Sequence, residues 1–467
     1  MPTFAPAQLA AWTGGRWTAT PAAALAGFTM DTRQLRAGQV FVALKTEKRD
    51  GHAFLSAAQA AGASAALVAV ADPALTLPQL VVADPLAAFQ AIAREHRRAF
   101  PGPVIGISGS AGKTSTKDLL SLLLGGEAGG VLATEGNLNN QLGVPLTLTR
   151  LDPAAHKFAV IEAGIGGPGE MQPLADMIEP DVALITLVAA AHTEALGGLE
   201  GVAREKAVLP AAVRPRGAAI FPKSCTHFEA FRDMFVNQLV LERSAVLRPA
   251  TQPRHTIHFN VLQRTTETVI VIAYGPPPPA MFKLRRVTDG MAQNAALALT
   301  AALYLGVAPA VLAARLAAWA PPALRGEIRH EDGRLLYLDC YNANPASMAD
   351  ALAMFHAIAP VDEARLYVLG CMEELGPDSA TYHRALGRAL GLRAGDRLLV
   401  TGTQANEVCA GVLEQGDFSR SIQIASSLET VAAGLAEWRG AVFMKGSRRY
   451  QLERALAGAV AQEAAHA

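Results

Sequence analysis

Short apolar runs and amphipathic stretches alternate along most of the chain. In the middle third, PVIGIS, KFAVIE and DVALITLV read as buried strands, and TSTKDLLSLLL and LEGVAREKAVL read as helices. Strands that alternate with helices predict a mainly parallel sheet covered by those helices. The last third has the same alternation. There RLLYLDC, ARLYVLG, DRLLVTG and AVFMKGS are separated by helical patterns and predict a second, Rossmann-like α/β unit. YGPPPP, 274–279, can be neither strand nor helix interior and is expected as a loop in a β-rich part of the middle unit. In LEGVAREKAVL the residues Leu199, Val202, Lys206 and Leu209 share one helix face, which puts a lysine on an apolar stripe.

Two proline-rich joints, FPGPVIGISG near residue 100 and WAPPALRGEI near residue 320, each precede a fresh apolar segment. They divide the chain into 1–100, 101–320 and 321–467, in keeping with 467 residues being too many for one ordinary domain. Lys plus Arg balance Asp plus Glu, so no charge surplus points to nucleic acid or an anionic membrane. The basic doublets Arg285-Arg286 and Arg448-Arg449 are expected on solvated surface. The four cysteines are far apart and form no CxxC, which fits a reducing compartment and no zinc or disulfide scaffold. No export signal opens the chain, and apolar stretches are cut by Asp and Pro short of the roughly 18 residues of a membrane span. A cytoplasmic protein without membrane insertion is expected.

Open α/β sheets bind ligands beyond the carboxyl ends of their strands, so the residues just past each apolar run are the candidates for chemistry. After VIGIS come Gly109, Ser110, Ala111, Gly112, Lys113, Thr114 and Ser115, a GxxGKT turn opening a helix. Its glycines would let backbone N–H groups approach phosphate, with Lys113 reaching the terminal phosphates and Thr114 holding Mg²⁺. The usual phosphate-binding loop has an earlier glycine where this chain has Ile107. FAVI is followed by Glu162, and VALITLV with three alanines by His192. Alone, each is more often a solvated glutamate or a hydrogen-bonded histidine; delivery to one edge raises both. GIGGPG, 164–169, formally matches a dinucleotide fingerprint, but Pro168 and Pro173 interrupt the helix it needs and no acid ends the next strand. For Lys206 two readings stay open: a snorkelling lysine at the core's edge, or one modified or paired in the site. Cys340 and Cys371 follow strands of the last third, either as buried thiols or as accessible ones beside a nucleotide.

The short GxxGKT loop, the strand-end glutamate, the AHTE segment and the following helix lysine together resemble the ATP-dependent Mur ligases of peptidoglycan synthesis. In that family the residue at Ile107 is no defect. DTRQLRAGQVFVALKTEKRDGHAFLSAAQAAGA, 31–63, resembles the family's N-terminal UDP-sugar domain. GNLNNQLGVPLTL, DCYNANPASM, VLGCMEELG and MKGSR resemble the branch that joins D-alanyl-D-alanine to UDP-N-acetylmuramoyl-tripeptide. The resemblance implies an N-terminal substrate domain, a central ATP-binding domain and a C-terminal domain that closes over ATP and binds the acceptor. It implies ATP and two Mg²⁺ ions as cofactors, and a monomer. Thr32 and Arg33 match uridine-diphosphate contacts, and Asn137 and Asn140 match contacts to the muramoyl peptide. Glu162, His192 and Lys206, carbamylated by CO₂, match ligands of the second Mg²⁺. Asn294 matches an adenine contact, Arg325 a nucleotide contact and Asp339 a ribose contact, while Tyr341, Asn342 and Asn344 complete the segment over ATP.

The chain departs from the family where Gly290-Met291 replaces His-Asn, where Gly166 and Gly167 replace Asn and His, at Leu187 for Asn and at Cys371 for Asp. Two rival readings remain. One is a Mur-type ligase with a different acceptor; the other is a nucleotide-hydrolysing switch, which would need no sugar-binding domain.

Overall fold

Parallel strands are stable only with both faces covered, and three sheets built on that rule carry the chain. The computed structural model describes residues 2–47, 49–248, 255–275, 277–331 and 333–456. The first sheet runs in the order Arg16–Trp17, Gln79–Val81, Ala65–Val68, Val40–Val42, Phe28–Thr29, and only its first pair is antiparallel. Helix Pro85–Ala99 buries Phe89 and Ile92 against one face, and helix Leu55–Ala60 buries Leu55 and Ala58 against the other.

The central sheet has nine strands. Val131–Ala133, Phe158–Glu162, Val104–Ser108, Val182–Ile185, Ala218–Pro222, Gln238–Arg243 and His255–Gln263 are parallel neighbours in that order. Two antiparallel strands, Glu267–Ile272 and Ala280–Arg285, extend it. The proline run links these two; Pro276 lies outside the described residues. Every residue of VIGIS is buried, as a central parallel strand requires. Helix Lys113–Leu124 packs Leu119, Leu120 and Leu123 beside the alanine-rich helix Asp289–Tyr304, whose small side chains let the two helices approach. Helices Met171–Ile178 and Leu199–Ala211 cover the opposite face. Phe158–Glu162 lies on one side of Val104–Ser108 and Val182–Ile185 on the other, so the strand order reverses there and a crevice opens beyond Ser108.

The third sheet runs Glu327–Glu331, Arg334–Asp339, Ala441–Lys445, Arg365–Gly370, Arg397–Thr401, Ile422–Ile424, parallel except for its first pair. Helices on both faces complete a Rossmann-like layer. The chain is thus an α/β protein with three mostly parallel sheets. Among the described residues no helix is long and apolar enough to cross a membrane.

The first sheet is tied to the second by a buried cation. Arg97, at the end of helix Pro85–Ala99, is wholly buried. Its Nε donates to the Ile178 carbonyl at 2.8 Å, and its Nη2 to the Glu179 carbonyl at 2.8 Å and to Asp181 Oδ2 at 2.7 Å. Asp181 Oδ2 also accepts from the Val104 backbone at 2.8 Å, so the ion pair fixes the first residue of the central strand. The guanidinium sits at the negative end of helix Met171–Ile178, where a cation is favoured. Arg97→Ala leaves Asp181 and two carbonyls short of a buried donor. It is expected to cost about 3–5 kcal/mol of stability in urea unfolding; a loss below about 1 kcal/mol would show that the joint is held by other contacts.

Candidate active site

The turn beyond Val104–Ser108 closes against its neighbours only because two residues lack side chains. Gly109 has φ +149°, and a Cβ there would lie 1.9 Å from Thr186 Oγ1. Gly112 has φ +77°, and its Cβ would lie 2.1 Å from Asn294 Nδ2. The Ser110 N–H donates to the Leu187 carbonyl at 2.8 Å, Ser110 Oγ donates to the Ala189 carbonyl at 2.8 Å, and Thr186 Oγ1 donates to the Ala111 carbonyl at 2.5 Å. Ile107 is not in the turn at all. It is a buried ladder residue beside Glu162 and Leu184, so no glycine is needed there.

Gly112 precedes helix Lys113–Leu124 in left-handed conformation and supplies no side-chain cap. The first-turn N–H groups of this helix therefore face the crevice as an anion site. Lys113 Nζ folds back to donate to the Gly109 carbonyl at 2.8 Å. Burial pushes its pKa down, nearby Glu162 opposes that, and Arg325 adds to the lowering.

Glu162 ends its strand and is 1 % exposed. Its Oε1 accepts from Asn139 Nδ2 at 2.8 Å, while its Oε2 is buried with no hydrogen-bond partner. An orphaned carboxylate oxygen beside a phosphate-binding turn is a fitting ligand for a hard cation. His192 lies in the left-handed region at φ 56°, and its Nδ1 pairs with the Glu374 carboxylate across the boundary between the second and third sheets. That leaves Nε2 open to a ligand. Among the described residues no three His, Cys, Asp or Glu side chains are grouped to hold a metal ion, so any cation here needs a further donor.

Lys206 is 1 % exposed, with Val202 and Leu209 fully buried on the same stripe. Leu199 departs from that face and is 43 % exposed, because it opens the helix. Burial pushes the Lys206 pKa well below its ordinary value, and Lys113 lowers it further. Lys206 lies behind the cleft wall rather than on it.

Of the asparagines in GNLNN, Asn140 shapes the turn, its Oδ1 accepting from the backbones of Leu142 and Gly143 at 3.1 and 3.0 Å. Asn137 is exposed, and its carbonyl accepts from the Asn139 N–H at 2.8 Å. Asn139, which the motif alone did not single out, is the one that reaches Glu162. The doubled Asn was the available signal, but spacing cannot say which member turns inward.

The opposite wall comes from the third sheet. Asp339 and Lys445 end adjacent parallel strands and pair at 2.6 Å; Lys445 also donates to the Asn342 carbonyl at 3.0 Å. The Arg325 guanidinium lies 3.8 Å from the centre of the Tyr341 ring. Asn344 caps helix Pro345–Ile358 through a capping box with Ser347, and its Nδ2 donates to the Ser110 carbonyl at 3.1 Å. The two walls enclose a cleft of about 1180 Å³ lined by Ser110 to Ser115, Asn140, Glu162, His192, Asn294, Arg325, Asp339, Tyr341, Asn342 and Asn344. Thr32 and Arg33 lie outside it, in a turn of the first sheet where Arg33 folds onto Asp31 at 2.7 Å.

Several expectations need correction. Arg285 is exposed as expected, at the rim of the cleft, but Arg286 is half-buried in the cleft lining with its Nε buried without a partner. Of the two readings open for Cys340 and Cys371, the buried one holds: each is 1 % exposed, and burial pushes the Cys371 thiol up to about 11 and that of Cys340 higher. Pro173 does not interrupt a helix; it lies in the first turn of Met171–Ile178, where its missing N–H is no loss. Yet GIGGPG has no room for a dinucleotide phosphate, because Glu205 already accepts from the N–H groups of Gly169 and Met171 at 3.0 and 2.8 Å.

The chain matches two family models, the Mur ligase middle domain over residues 107–302 and the Mur ligase, glutamate ligase domain over residues 324–448. It is 32 % identical to the UDP-N-acetylmuramoyl-tripeptide–D-alanyl-D-alanine ligase of Escherichia coli over 91 % of each chain. Its fold is similar to a crystal structure of MurF from Acinetobacter baumannii, with a TM-score of 0.85, 26 % identity and 98 % of both chains covered. It is also similar to the MurF ligase of Thermotoga maritima in complex with ADP, with a TM-score of 0.77, 25 % identity, and 92 % of this chain and 96 % of that one covered.

Placing Cβ at residue 112 forces it into the Asn294 amide in a left-handed backbone, a strain of about 1–3 kcal/mol. Gly112→Ala is therefore expected to weaken ATP binding roughly 10- to 100-fold, read by calorimetry, and to lower the thermal stability of the chain by no more than that strain. Unaltered affinity would show that the turn does not hold the phosphates.

Proposed function

Since the chain belongs to the Mur ligase family, we propose that its three parts divide the labour of one ATP-dependent amide synthesis. The enzyme joins D-alanyl-D-alanine to UDP-N-acetylmuramoyl-tripeptide in peptidoglycan precursor synthesis, with ATP converted to ADP and phosphate. The observation that carries this reading is the convergence of the phosphate turn, the GNLNN loop and the YNANP segment on one cleft, in a chain similar along most of its length to that ligase. Residues 1–100 are read as the UDP-sugar domain, with Thr32 and Arg33 toward the diphosphate; residues 101–320 as the ATP domain; and residues 321–467 as the domain that closes on ATP and receives the acceptor. The protein is read as a cytoplasmic monomer.

In this reading a carboxylate oxygen of the tripeptide attacks the γ-phosphorus of ATP, and the bond to the ADP oxygen breaks. The amine of D-alanyl-D-alanine then attacks the carbonyl carbon of the acyl phosphate. Phosphate leaves with its bonding oxygen, and the amine gives up a proton. No side chain need act as nucleophile, since ATP activates the carboxylate. Lys113 and the first-turn N–H groups of helix Lys113–Leu124 balance charge on the phosphates. Asn294, Arg325, Asp339, Tyr341, Asn342 and Asn344 hold the nucleotide, and Asn137 and Asn140 face the muramoyl peptide. Thr114 would hold one Mg²⁺, and Glu162, His192 and Lys206 the other. Bound Mg²⁺ supplies positive charge that draws the phosphate and carboxylate oxygens together.

Lys206 suits that role only as a carbamate. Its lowered pKa keeps more of the amine neutral, and the neutral amine reacts with CO₂. A bond forms between Nζ and the CO₂ carbon and one proton is lost, leaving an anion with two oxygens. A buried amine that desolvation already holds toward its neutral form would become a hard ligand.

Two measurements test these readings. ADP formation should require UDP-N-acetylmuramoyl-tripeptide and D-alanyl-D-alanine together; equal ATP turnover with neither present would instead mark a nucleotide-hydrolysing switch. Lys206→Ala and Lys206→Arg should each lose roughly 100-fold or more in turnover. The carbamate signal seen by ¹³C NMR after equilibration with ¹³CO₂ should vanish with them. Near-normal turnover of either variant at limiting Mg²⁺ would make the lysine merely structural.

A further inference from the structure

Beyond Asn294 the cleft extends one helical turn further from the phosphate loop, toward Gly290 and Met291 at the start of helix Asp289–Tyr304. There Val287 and Met291 from the central part and Ala351 and Met354 from helix Pro345–Ile358 supply apolar surface, beside Arg285, Arg286 and Thr288. Asp350 of that second helix sets a carboxylate among them. Its Oδ1 accepts from the Gly290 N–H at 3.0 Å, and the Thr288 hydroxyl also bonds to it. The approach depends on Gly290 having no side chain, since a Cβ there would lie 2.4 Å from Asp350 Oδ2.

We infer that Asp350 is the residue that selects adenine, its carboxylate accepting a hydrogen bond from the exocyclic 6-amino group of ATP. The inference rests on the reading above, in which the phosphates of ATP occupy the 109–115 turn. A base then falls at the other end of the cleft, between surfaces that suit a flat, apolar ring. Adenine offers an N–H donor at position 6, whereas guanine and hypoxanthine place a carbonyl oxygen there. A carboxylate rewards the first and repels the second, so it discriminates by repulsion as well as attraction. Helix capping alone does not account for Asp350, because Thr288 Oγ1 already caps the helix by accepting from the Met291 N–H at 3.0 Å. The carboxylate comes from the third sheet's layer and its Gly290 partner from the second, so the base is gripped only when these two parts are together.

The test uses the full chain with both ligation substrates, comparing kcat/KM for ATP, inosine triphosphate and purine riboside triphosphate. The wild type should prefer ATP over each of the other two by roughly 10- to 100-fold, the worth of a hydrogen bond to a charged group. Asp350→Asn keeps the acceptor for the Gly290 N–H and can turn its amide toward a 6-oxo group. Its ATP-to-inosine ratio should fall roughly 10-fold or more, through opposite changes in the two KM values. Asp350→Ala should use ATP and purine riboside triphosphate about equally well. A purely structural role would lower all three nucleotides by one factor. Unchanged ratios in both variants would overturn the inference, as would a wild type indifferent to the 6-amino group, which needs no variant to detect. No ligation with any nucleotide would count against the proposed function instead.

Discussion

Charge kept out of water without full compensation governs the centre of this molecule. Burial weakens the hold of Lys113 and of Lys206 on their protons, and Glu162 keeps one oxygen without a partner. Such groups are costly to bury and persist only where rigid surroundings hold them. The surroundings here are the buried strands Val104–Ser108 and Phe158–Glu162 and the helices packed on both faces. The stable sheet thus holds a poorly satisfied edge, and the groups missing from that edge are those a nucleotide, a cation and a carboxylate would bring.

The second constraint is that the edge is only half of the site. Asn344 reaches the phosphate turn from the third sheet's layer, and Glu374 reaches His192 from the same side. Both contacts belong to polar side chains at loop positions, so they can break without unpacking a core. In the proposed reaction an acyl phosphate must be shielded from water, and a wall able to part would provide shielding together with entry for three substrates. Asn344 also caps its own helix, so the same side chain that organises the third sheet's layer registers it on the phosphate turn.

The alternation of apolar runs carried the second and third sheets into view, because parallel strands buried on both faces leave an unbroken signature, whereas the N-terminal unit was expected only through the resemblance of residues 31–63. The phosphate turn and Glu162 were legible for the same reason, since each directly follows such a run. Side-chain direction within loops was not. The motif could not show that Asn139 rather than its neighbours bonds Glu162, because a turn has no fixed period. Arg286 read as surface because a doublet of cations is normally solvated; the fold instead makes it part of the cleft wall. Cys340 and Cys371 follow strands as a ligand-facing residue would, yet tertiary packing buries both. Asp350 was invisible, since only the fold sets it against a glycine 60 positions away in the chain.

The contact between Gly290 and Asp350 also limits how these two positions can drift over evolutionary time. A side chain at residue 290 would begin 2.4 Å from Asp350 Oδ2, so it fits only when the carboxylate turns aside. Exchange at 290 while Asp350 remains strains the hydrogen bond from the residue 290 N–H, whereas shortening residue 350 first merely opens space. A lineage leaving this arrangement is therefore expected to change 350 before 290 more often than the reverse, and a lineage entering it to acquire the glycine first. The order of substitutions is biased, and descendants of one ancestor are expected to hold either member of the pair of states more often than the crowded hybrid.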